Sequence, residues 1–244
     1  MKIKLLYILI PVLISASCSS ITKNNLINNN PEITLQSIAA FKSAEQINGN
    51  EWQLIFRKVD DCQYVLFYTD INQMNTFKDK LIVLSDNSYS TNTDFINIRF
   101  SINYIEDTSL DQVTGENAVI NRLRNINRFP SDRFATAGFA DDTKADDFIL
   151  NLKKYVAGNS IQEISEMLSF PLEAVIRKKK VKISDSKAFI KDYNIIFNKR
   201  VKNSILSQPL ADVQAGPRGL VIGTDEVIIK LVDEKICITS VNCH

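Results

Sequence analysis

The most concentrated charge in the sequence is a basic run in its second half. Five of the six residues from 177 to 182 are cationic: Arg177, Lys178, Lys179, Lys180 and Lys182. On a β-strand or its turn, Arg177 and Lys179 would point to one side and the other three lysines to the opposite side. The run predicts either a solvated turn or sheet edge, which lysines keep from pairing with other strands, or a patch that contacts an anionic surface. That surface would be a phospholipid headgroup or an acidic partner.

Four cysteines could carry chemistry of their own: Cys18, Cys62, Cys237 and Cys243. Cys237 and Cys243 fall in one predicted strand, where about 20 Å would separate them, too far for a disulfide. We therefore predict that a disulfide joins Cys62 to one of these two, with Cys62–Cys243 as the candidate pair. Free buried thiols are the alternative. Metal binding is not predicted, because the only histidine is His244, the last residue.

The sequence offers little for catalysis. A Ser-His-Asp or Cys-His site needs an internal histidine that moves protons near neutral pH, and His244 is terminal. There is no Walker-type loop, and seven glycines in the whole chain leave few for cradling a phosphate. We predict no catalytic residues, no enzyme activity and no cofactor.

The first eighteen residues combine Lys2 and Lys4 with an apolar run and then Ser15-Ala-Ser before Cys18. The run, from Leu5 to Ile14, is too short to span a membrane. This segment resembles a bacterial lipoprotein signal, although Ser15 stands where leucine is commonest, and ordinary cleavage after the same residues is the alternative. The resemblance implies a signal peptide over 1–17 and acylation of Cys18, which anchors the chain in a lipid bilayer. Ser19 after the cysteine implies the periplasmic face of the outer membrane.

Composition divides the rest of the chain. Hydrophobic residues make up 45% and charged residues 23%, as in globular proteins. Residues 18–31 hold the candidate lipid attachment and an Asn-rich tether. Acidic side chains outnumber basic ones before residue 142, and the reverse holds after it. We expect an α+β domain over 32–130, a linker over 131–142 and a second domain over 143–243. A nearly neutral chain does not favour nucleic acid as a partner.

The first half is predicted to mix helices with hairpins. The expected elements are a helix over 33–47, a hairpin of Trp52–Val59 with Cys62–Thr69, a strand pair Leu81–Leu84 with Phe95–Ile105, and a helix over Ala118–Phe129. The last helix would place Arg122, Arg124 and Arg128 on its solvated face, close to Arg133. A solvated face is the interpretation we favour for this arginine group.

The second half has clearer signals. Thr143 with Asp146 forms a capping box for a helix that Gly158 ends, and Ser160 with Glu163 caps a second, short helix. The later elements are predicted as a strand hairpin over Leu172–Ile183, a long helix from Ser184 to Leu206, and strands Leu220–Ile222, Val227–Val232 and Ile236–Val241.

This order of elements resembles the nuclear-transport-factor-2-like (cystatin-like) superfamily. The resemblance rests on Ala157-Gly158-Asn159, Ile164–Leu172, Phe189–Tyr193, Gly219–Gly223 and Lys235–Asn242. It implies a cone-like, curved antiparallel sheet wrapped on a long helix, with a pocket. Val227-Ile228 occupies the place where a tryptophan often shapes the pocket mouth.

Isomerases of this superfamily use an aspartate base and a tyrosine hydroxyl. Asp192 and Tyr193 are of these types, but neighbours on a helix diverge by about 100°. We therefore predict a core tyrosine and a solvated aspartate.

The function we expect is that of a lipid-anchored envelope protein with a non-catalytic binding or accessory role. Its partner would be another envelope protein or a small apolar ligand, and an immunity or inhibitor protein fits the same observations. One alternative is a cone-pocket enzyme of isomerase or hydrolase type, which needs a buried carboxylate facing a cavity. Another is a structural envelope protein. The sequence does not predict an oligomeric state.

Overall fold

A computed structural model describes residues 33–74, 81–85, 88–110 and 115–243 of the 244-residue chain. The predicted signal peptide, Cys18, the tether and His244 lie outside the described residues. From Ile33 onward the chain is one contact unit of helices and mostly antiparallel strands, which confirms the predicted α+β class. The division of this unit at residues 131–142 stays a prediction.

The first part of the described chain, up to Arg128, contains five strands that close into a barrel in the order β1-β2-β3-β7-β6. The elements of this part are β1 (Leu35–Asn48), β2 (Glu51–Lys58), β3 (Tyr64–Asp70), α1 (Ile71–Met74), β4 (Ile82–Ser85), β5 (Ser88–Thr91), β6 (Arg99–Leu110) and β7 (Asn117–Arg128). Neighbouring strands of the barrel are antiparallel except β3 and β7. Inside, Phe56 contacts the rings of Phe67 and Phe100 edge to face, an arrangement that aromatic pairs favour.

Of the two predicted strand pairings, one is confirmed and one is wrong. The hairpin of Trp52–Val59 with Cys62–Thr69 is present as β2 and β3. The segment expected to connect the second pair instead supplies β5, which pairs with β4. Phe95, expected to begin a strand, lies in a short 3-10 turn, and β6 begins only at Arg99.

The predicted helix over 33–47 is wrong, because this segment forms β1. Its register with β2 shifts between Phe41 and Ser43, so Lys42 is an extra residue in the strand. This bulge interrupts the alternation of faces and leaves Phe41 and Ala44, three residues apart, both buried in the barrel. A spacing of three is also helical, and pairing with strands on both sides decides in favour of the strand.

The predicted helix over 118–129 is wrong for the same reason, because this segment forms β7. Tyr104 pairs with Leu123, whereas Asn103 pairs with Asn125, so Arg124 is the extra residue. The bulge turns Leu123 and Ile126 to the barrel interior.

The second part combines four helices with a six-stranded sheet of order β10-β11-β12-β13-β8-β9. The elements are α2 (Asp142–Ala157), α3 (Ile161–Glu166), β8 (Leu168–Ile176), β9 (Lys179–Ile183), α4 (Ser186–Ile196), α5 (Lys199–Ser207), β10 (Gln214–Gly216), β11 (Gly219–Ile222), β12 (Val227–Val232) and β13 (Lys235–Asn242). The two helices after residue 142, the strand hairpin and the last three strands were predicted and are confirmed. Within this six-stranded sheet, β13 and β8 pair in parallel, and the other neighbouring strands are antiparallel.

Two details of this part differ from the prediction. The long helix from Ser184 to Leu206 is in fact α4 and α5, because Asn198 leaves the helical conformation and its Oδ1 accepts the N–H of Val201 as the N-cap of α5. The predicted capping box is wrong as well. Asp141 caps α2 by accepting the N–H of Thr143, whereas Asp146 is buried.

One cluster of buried apolar residues includes both the barrel interior and the helix-covered face of the second sheet. Leu172, Ala174 and Val241 belong to this cluster together with Phe189 of α4. Because side chains alternate along a strand, the intervening residues of β8 and β13 lie on the opposite face of the sheet, away from the helices.

Candidate functional site

The predicted basic run lies at one edge of the second sheet. Arg177 and Lys178 form the turn between β8 and β9, with φ angles of 50° and 65°. Two successive residues with positive φ are typical of the tight turns that join antiparallel strands. β9 is the outermost strand on this side, and the five cationic side chains are exposed.

Alternation along β9 brings only part of the basic run to a groove. Lys180 and Lys182 line a groove of about 370 Å³ on the face away from the helices. Their cross-strand partners are Val175 and Glu173, which also line it. Lys179 is not among the described residues that line the groove.

The groove crosses β13 and β12 and ends at two turns. Its remaining polar and apolar lining includes Arg218, Asp225, Ile228, Ser240 and Asn242. Strand pairing brings part of this lining together: Ile228 of β12 lies opposite Ser240 of β13, and Ser240 lies beside Glu173 of β8. Sequence reasoning missed these residues, because alternation gives the face of each residue within its strand but not its neighbours on other strands.

The far end of the groove has fixed polar groups. Asn242 Nδ2 donates a hydrogen bond of 2.8 Å to Asp225 Oδ2, and Asn242 is almost fully buried. Its Oδ1 has no hydrogen-bond partner in the described part of the chain. Arg218 precedes Gly219, which has a φ of +113°. A Cβ at residue 219 would also collide with the carbonyl oxygen of Ile229. The turn that carries Arg218 therefore requires glycine at 219.

Glu226 holds the turn that presents Asp225. Its Oε2 accepts the backbone N–H of Thr224 at 2.7 Å, and its Oε1 accepts Arg200 Nε at 2.7 Å. Burial raises the pKa of this carboxyl, but the hydrogen bonds from Arg200 and from the backbone of Thr224 and Asp225 together lower it below its ordinary value. The Glu226 carbonyl also accepts the N–H of Asn242, which joins the turn to β13.

A second cleft, of about 580 Å³, lies at one end of the barrel. Several of its polar groups bind one another or a neighbour. Gln53 Nε2 donates to Tyr68 Oη at 3.0 Å, and Glu51 pairs with Arg122 at 3.3 Å. The cleft therefore has fewer uncommitted polar groups than the groove, and no sequence signal pointed to it.

The most buried charges join β7 and the following segment to α2. Arg128 and Arg133 both pair with Asp146, which is fully buried, and Arg133 Nε pairs with Asp142 at 2.7 Å. The guanidinium of Arg128 also lies 5.6 Å from the ring centroid of Phe95. We call these four charged residues the junction cluster. The prediction of a solvated arginine face is wrong for Arg128 and Arg133, because β7 and the segment that follows it direct them to α2.

The two carboxyl groups of the junction cluster differ in pKa: burial raises the pKa of Asp146 although Arg133 and Arg128 act to lower it, whereas hydrogen bonds favour the charged state of Asp142. Burial is the strongest single effect on Asp142 and raises its pKa, but hydrogen bonds from the backbone and hydroxyl of Ser131 and from Arg133 bring the pKa below its usual value. Arg133 Nη1 also donates to the carbonyl of Leu210 at 2.8 Å. The ion pairs of the cluster hold α2 in place.

The candidate disulfide is not formed. Cys62, Cys237 and Cys243 are free thiols. Cys62 is exposed in the turn between β2 and β3, whereas Cys243 is buried after β13, where its Sγ donates to the carbonyl of Ile196 at 3.1 Å. Burial raises the pKa of Cys243 to about 11. The two cysteines belong to the barrel and to the second sheet, and the fold does not bring them together.

Tyr193 is a core residue, as predicted. It is buried against Phe189 and Phe197, and burial raises the pKa of its hydroxyl, which has no hydrogen-bond partner among the described residues. Asp192 is partly exposed. The pair therefore has the geometry of a packed tyrosine beside an outward aspartate.

Comparison of the chain with models of known protein families finds no match, and comparison with curated protein sequences finds none either. Within the described ranges, three or more His, Cys, Asp or Glu side chains nowhere come together as a possible metal site. Among the same residues, no helix has the length and apolar character needed to cross a bilayer.

Proposed function

We propose that this chain is a lipid-anchored envelope protein that acts by binding, and that the groove on the second sheet is its binding site. The anchor rests on the N-terminal signal that ends at Cys18. The observation that carries the binding role is the groove itself. Apolar Val175 and Ile228 lie there between the lysines of β9 and the fixed turn at Asp225. Binding sites for small ligands commonly combine apolar walls with a few placed polar groups.

The proposal includes a nuclear-transport-factor-2-like fold for the second part. Two helices, a hairpin, further helices and a strand meander follow one another as in that superfamily, and this order supports the assignment. The groove lies on the sheet face away from the helices, whereas the inner face is filled by core residues such as Tyr193 and Phe197. Binding is favoured over a cone-pocket enzyme, because the buried carboxylates Asp146 and Glu226 are each held by arginine.

A site-specific crosslink tests the binding site in intact cells. A photo-crosslinking amino acid is placed at Ser240, inside the groove, or at Lys187, exposed on α4. After irradiation, mass spectrometry of the purified chain should find an adduct, protein or small molecule, at Ser240 but not at Lys187. The same adduct at both positions, or at neither, would reject the groove as the binding site.

A substitution of the candidate lipid-attachment residue tests the anchor. Cys18→Ser should leave the chain unprocessed or release it as a soluble periplasmic protein, because acyl chains on the cysteine supply the membrane affinity. Fractionation of cells measures the outcome. A processed Cys18→Ser chain that still sediments with membranes would contradict the lipid anchor.

A further inference from the structure

We propose that the groove binds an anionic amphiphile, a molecule with one anionic group on a short apolar body. The anionic group lies at Lys180 and Lys182, and the apolar body lies over Val175 and Ile228. This inference rests on the proposed binding role of the groove and names its ligand class.

The two ends of the groove differ in charge. At the β9 end, Lys180 and Lys182 line the groove and Glu173 is the acidic residue among them, while the adjoining turn adds Arg177 and Lys178. Exposed ammonium groups in such number create a positive potential that attracts an anion. The anionic group of a ligand therefore enters at this end.

The other end of the groove disfavours a second anion. Arg218 and Asp225 line this part of the groove with opposite charges, and the Asp225 carboxylate accepts from Asn242 and is carried by the turn that Glu226 fixes. An ionised carboxylate accepts hydrogen bonds but donates none, so it repels another anion and suits a hydroxyl or amide donor. The ligand has one anionic end rather than two.

The middle of the groove is suited to an apolar body. Val175 on β8 and Ile228 on β12 are half-buried, and β13 between them adds Ser240. Three strand spacings separate β9 from β12, about 14 Å in a sheet. A volume of about 370 Å³ is within the range of small-molecule sites. A short acyl chain fits this space, and a whole bilayer surface does not.

Calorimetric titration of the full chain carrying Cys18→Ser tests the ligand class. The probes are octanoate and monomeric dihexanoyl phosphatidylglycerol, which separate a carboxylate source from a lipid phosphate. Glycerol 3-phosphate supplies the head without the chain, and dihexanoyl phosphatidylcholine supplies the chain without net charge. At least one anionic amphiphile should bind, and glycerol 3-phosphate and the phosphatidylcholine should bind about tenfold more weakly or not at all.

Matched variants assign the anionic end. Lys180→Gln with Lys182→Gln should weaken binding about tenfold, the ratio that a loss of about 1.4 kcal/mol produces. Lys179→Gln with Lys187→Gln removes the same charge outside the groove and should change affinity by less than about twofold. Equal losses in both variants would show a general charge effect and overturn the assignment, as would equal binding of the neutral lipid.

The result also separates this inference from the proposed binding role. If no amphiphile binds while the crosslink at Ser240 yields a protein adduct, the ligand class is wrong and the groove remains a protein-binding site. If neither experiment gives a signal, both proposals fail.

Discussion

The junction cluster and the groove use the same kinds of charge in opposite ways. At the junction, Arg128 is largely buried and Arg133 partly buried, and each contacts a carboxylate of α2. In the groove, Lys180 and Lys182 are exposed. Removing a charge from water is costly unless partners replace the water, and the buried Asp146 has two arginine partners within the fold. Exposed charges stay hydrated and can exchange water for a ligand.

The difference identifies which charged residues to test for function. A largely buried arginine such as Arg128 has well-defined contacts, yet these contacts hold α2 against the barrel. An exposed lysine on an edge strand looks ordinary, yet it lines the groove. Burial of charge is therefore a poor guide to the binding site that we propose.

Substitution at the junction should have the largest effect on stability. Asp146→Asn leaves the largely buried guanidinium of Arg128 and the partly buried one of Arg133 without their shared carboxylate, which should lower the free energy of unfolding by about 3–5 kcal/mol. Chemical denaturation measures the loss. Asp147→Asn, at the exposed neighbouring position, is the control and should lose little. Similar losses in both variants would contradict the structural role of the junction cluster.

A substitution of Gly219, next to the groove residue Arg218, should have the next largest effect on stability. Gly219→Ala places a Cβ against the carbonyl of Ile229 at a positive φ, which should cost about 2–3 kcal/mol and displace Arg218. Gly216→Ala is the matched control, since Gly216 pairs with Gly219 and has open space around it. Denaturant midpoints of the two variants decide the outcome. If Gly216→Ala loses as much, the close approach at Gly219 is not the cause.

Glu226 should make the turn beside the groove sensitive to acid. Because its pKa in the folded chain is lowered, its stabilisation is complete above about pH 4.3, the unfolded value, and is lost as pH falls through the folded pKa. Glu226→Gln should therefore cost about 1–2 kcal/mol at pH 7 and progressively less in acid. Unfolding curves of both proteins between pH 7 and pH 3 measure this. A constant difference over that range would refute it, and Glu234→Gln in an exposed turn is the control.

Substitution of the groove lysines should have the smallest effect on stability. Lys180→Gln with Lys182→Gln should change the free energy of unfolding by no more than about 0.5 kcal/mol, because both side chains are exposed. Thermal and chemical denaturation check this. A loss of several kcal/mol would place these lysines with the junction cluster and remove the contrast between the two regions.

The sequence predicts the second part of the chain better than the first. Helical apolar spacing marks α2 and α3, and runs of strand-forming residues mark the final strands, where local preference agrees with the fold. In the barrel, the bulges at Lys42 and Arg124 give two strands the apolar spacing of helices. Pairing with neighbouring strands determines that those segments are strands, and the local sequence pattern does not reveal this pairing.

The candidate site was predictable only in part. The lysines of β9 stand out as a run, and their alternation correctly separates Lys180 and Lys182 from Lys179. Arg218, Asp225 and Asn242 lie far from the lysines of β9 in the chain, and the register that brings the two sets together depends on the pairing of β13 with β8. The junction cluster was missed because β7 was predicted as a helix, which placed its arginines in solvent.

The parallel pairing of β13 with β8 has a consequence for the order of synthesis. Ala174 pairs with Val241, so on the ribosome β8 and β9 emerge well before the strand that completes their sheet. Long-range pairing of this kind forms late, and an unfinished hairpin can meanwhile associate with other chains. β9 forms the opposite edge of this hairpin and stays outermost in the finished sheet, and lysines on such an edge disfavour pairing with other chains. The basic run on β9 thus disfavours edge-to-edge association both before and after β13 completes the sheet.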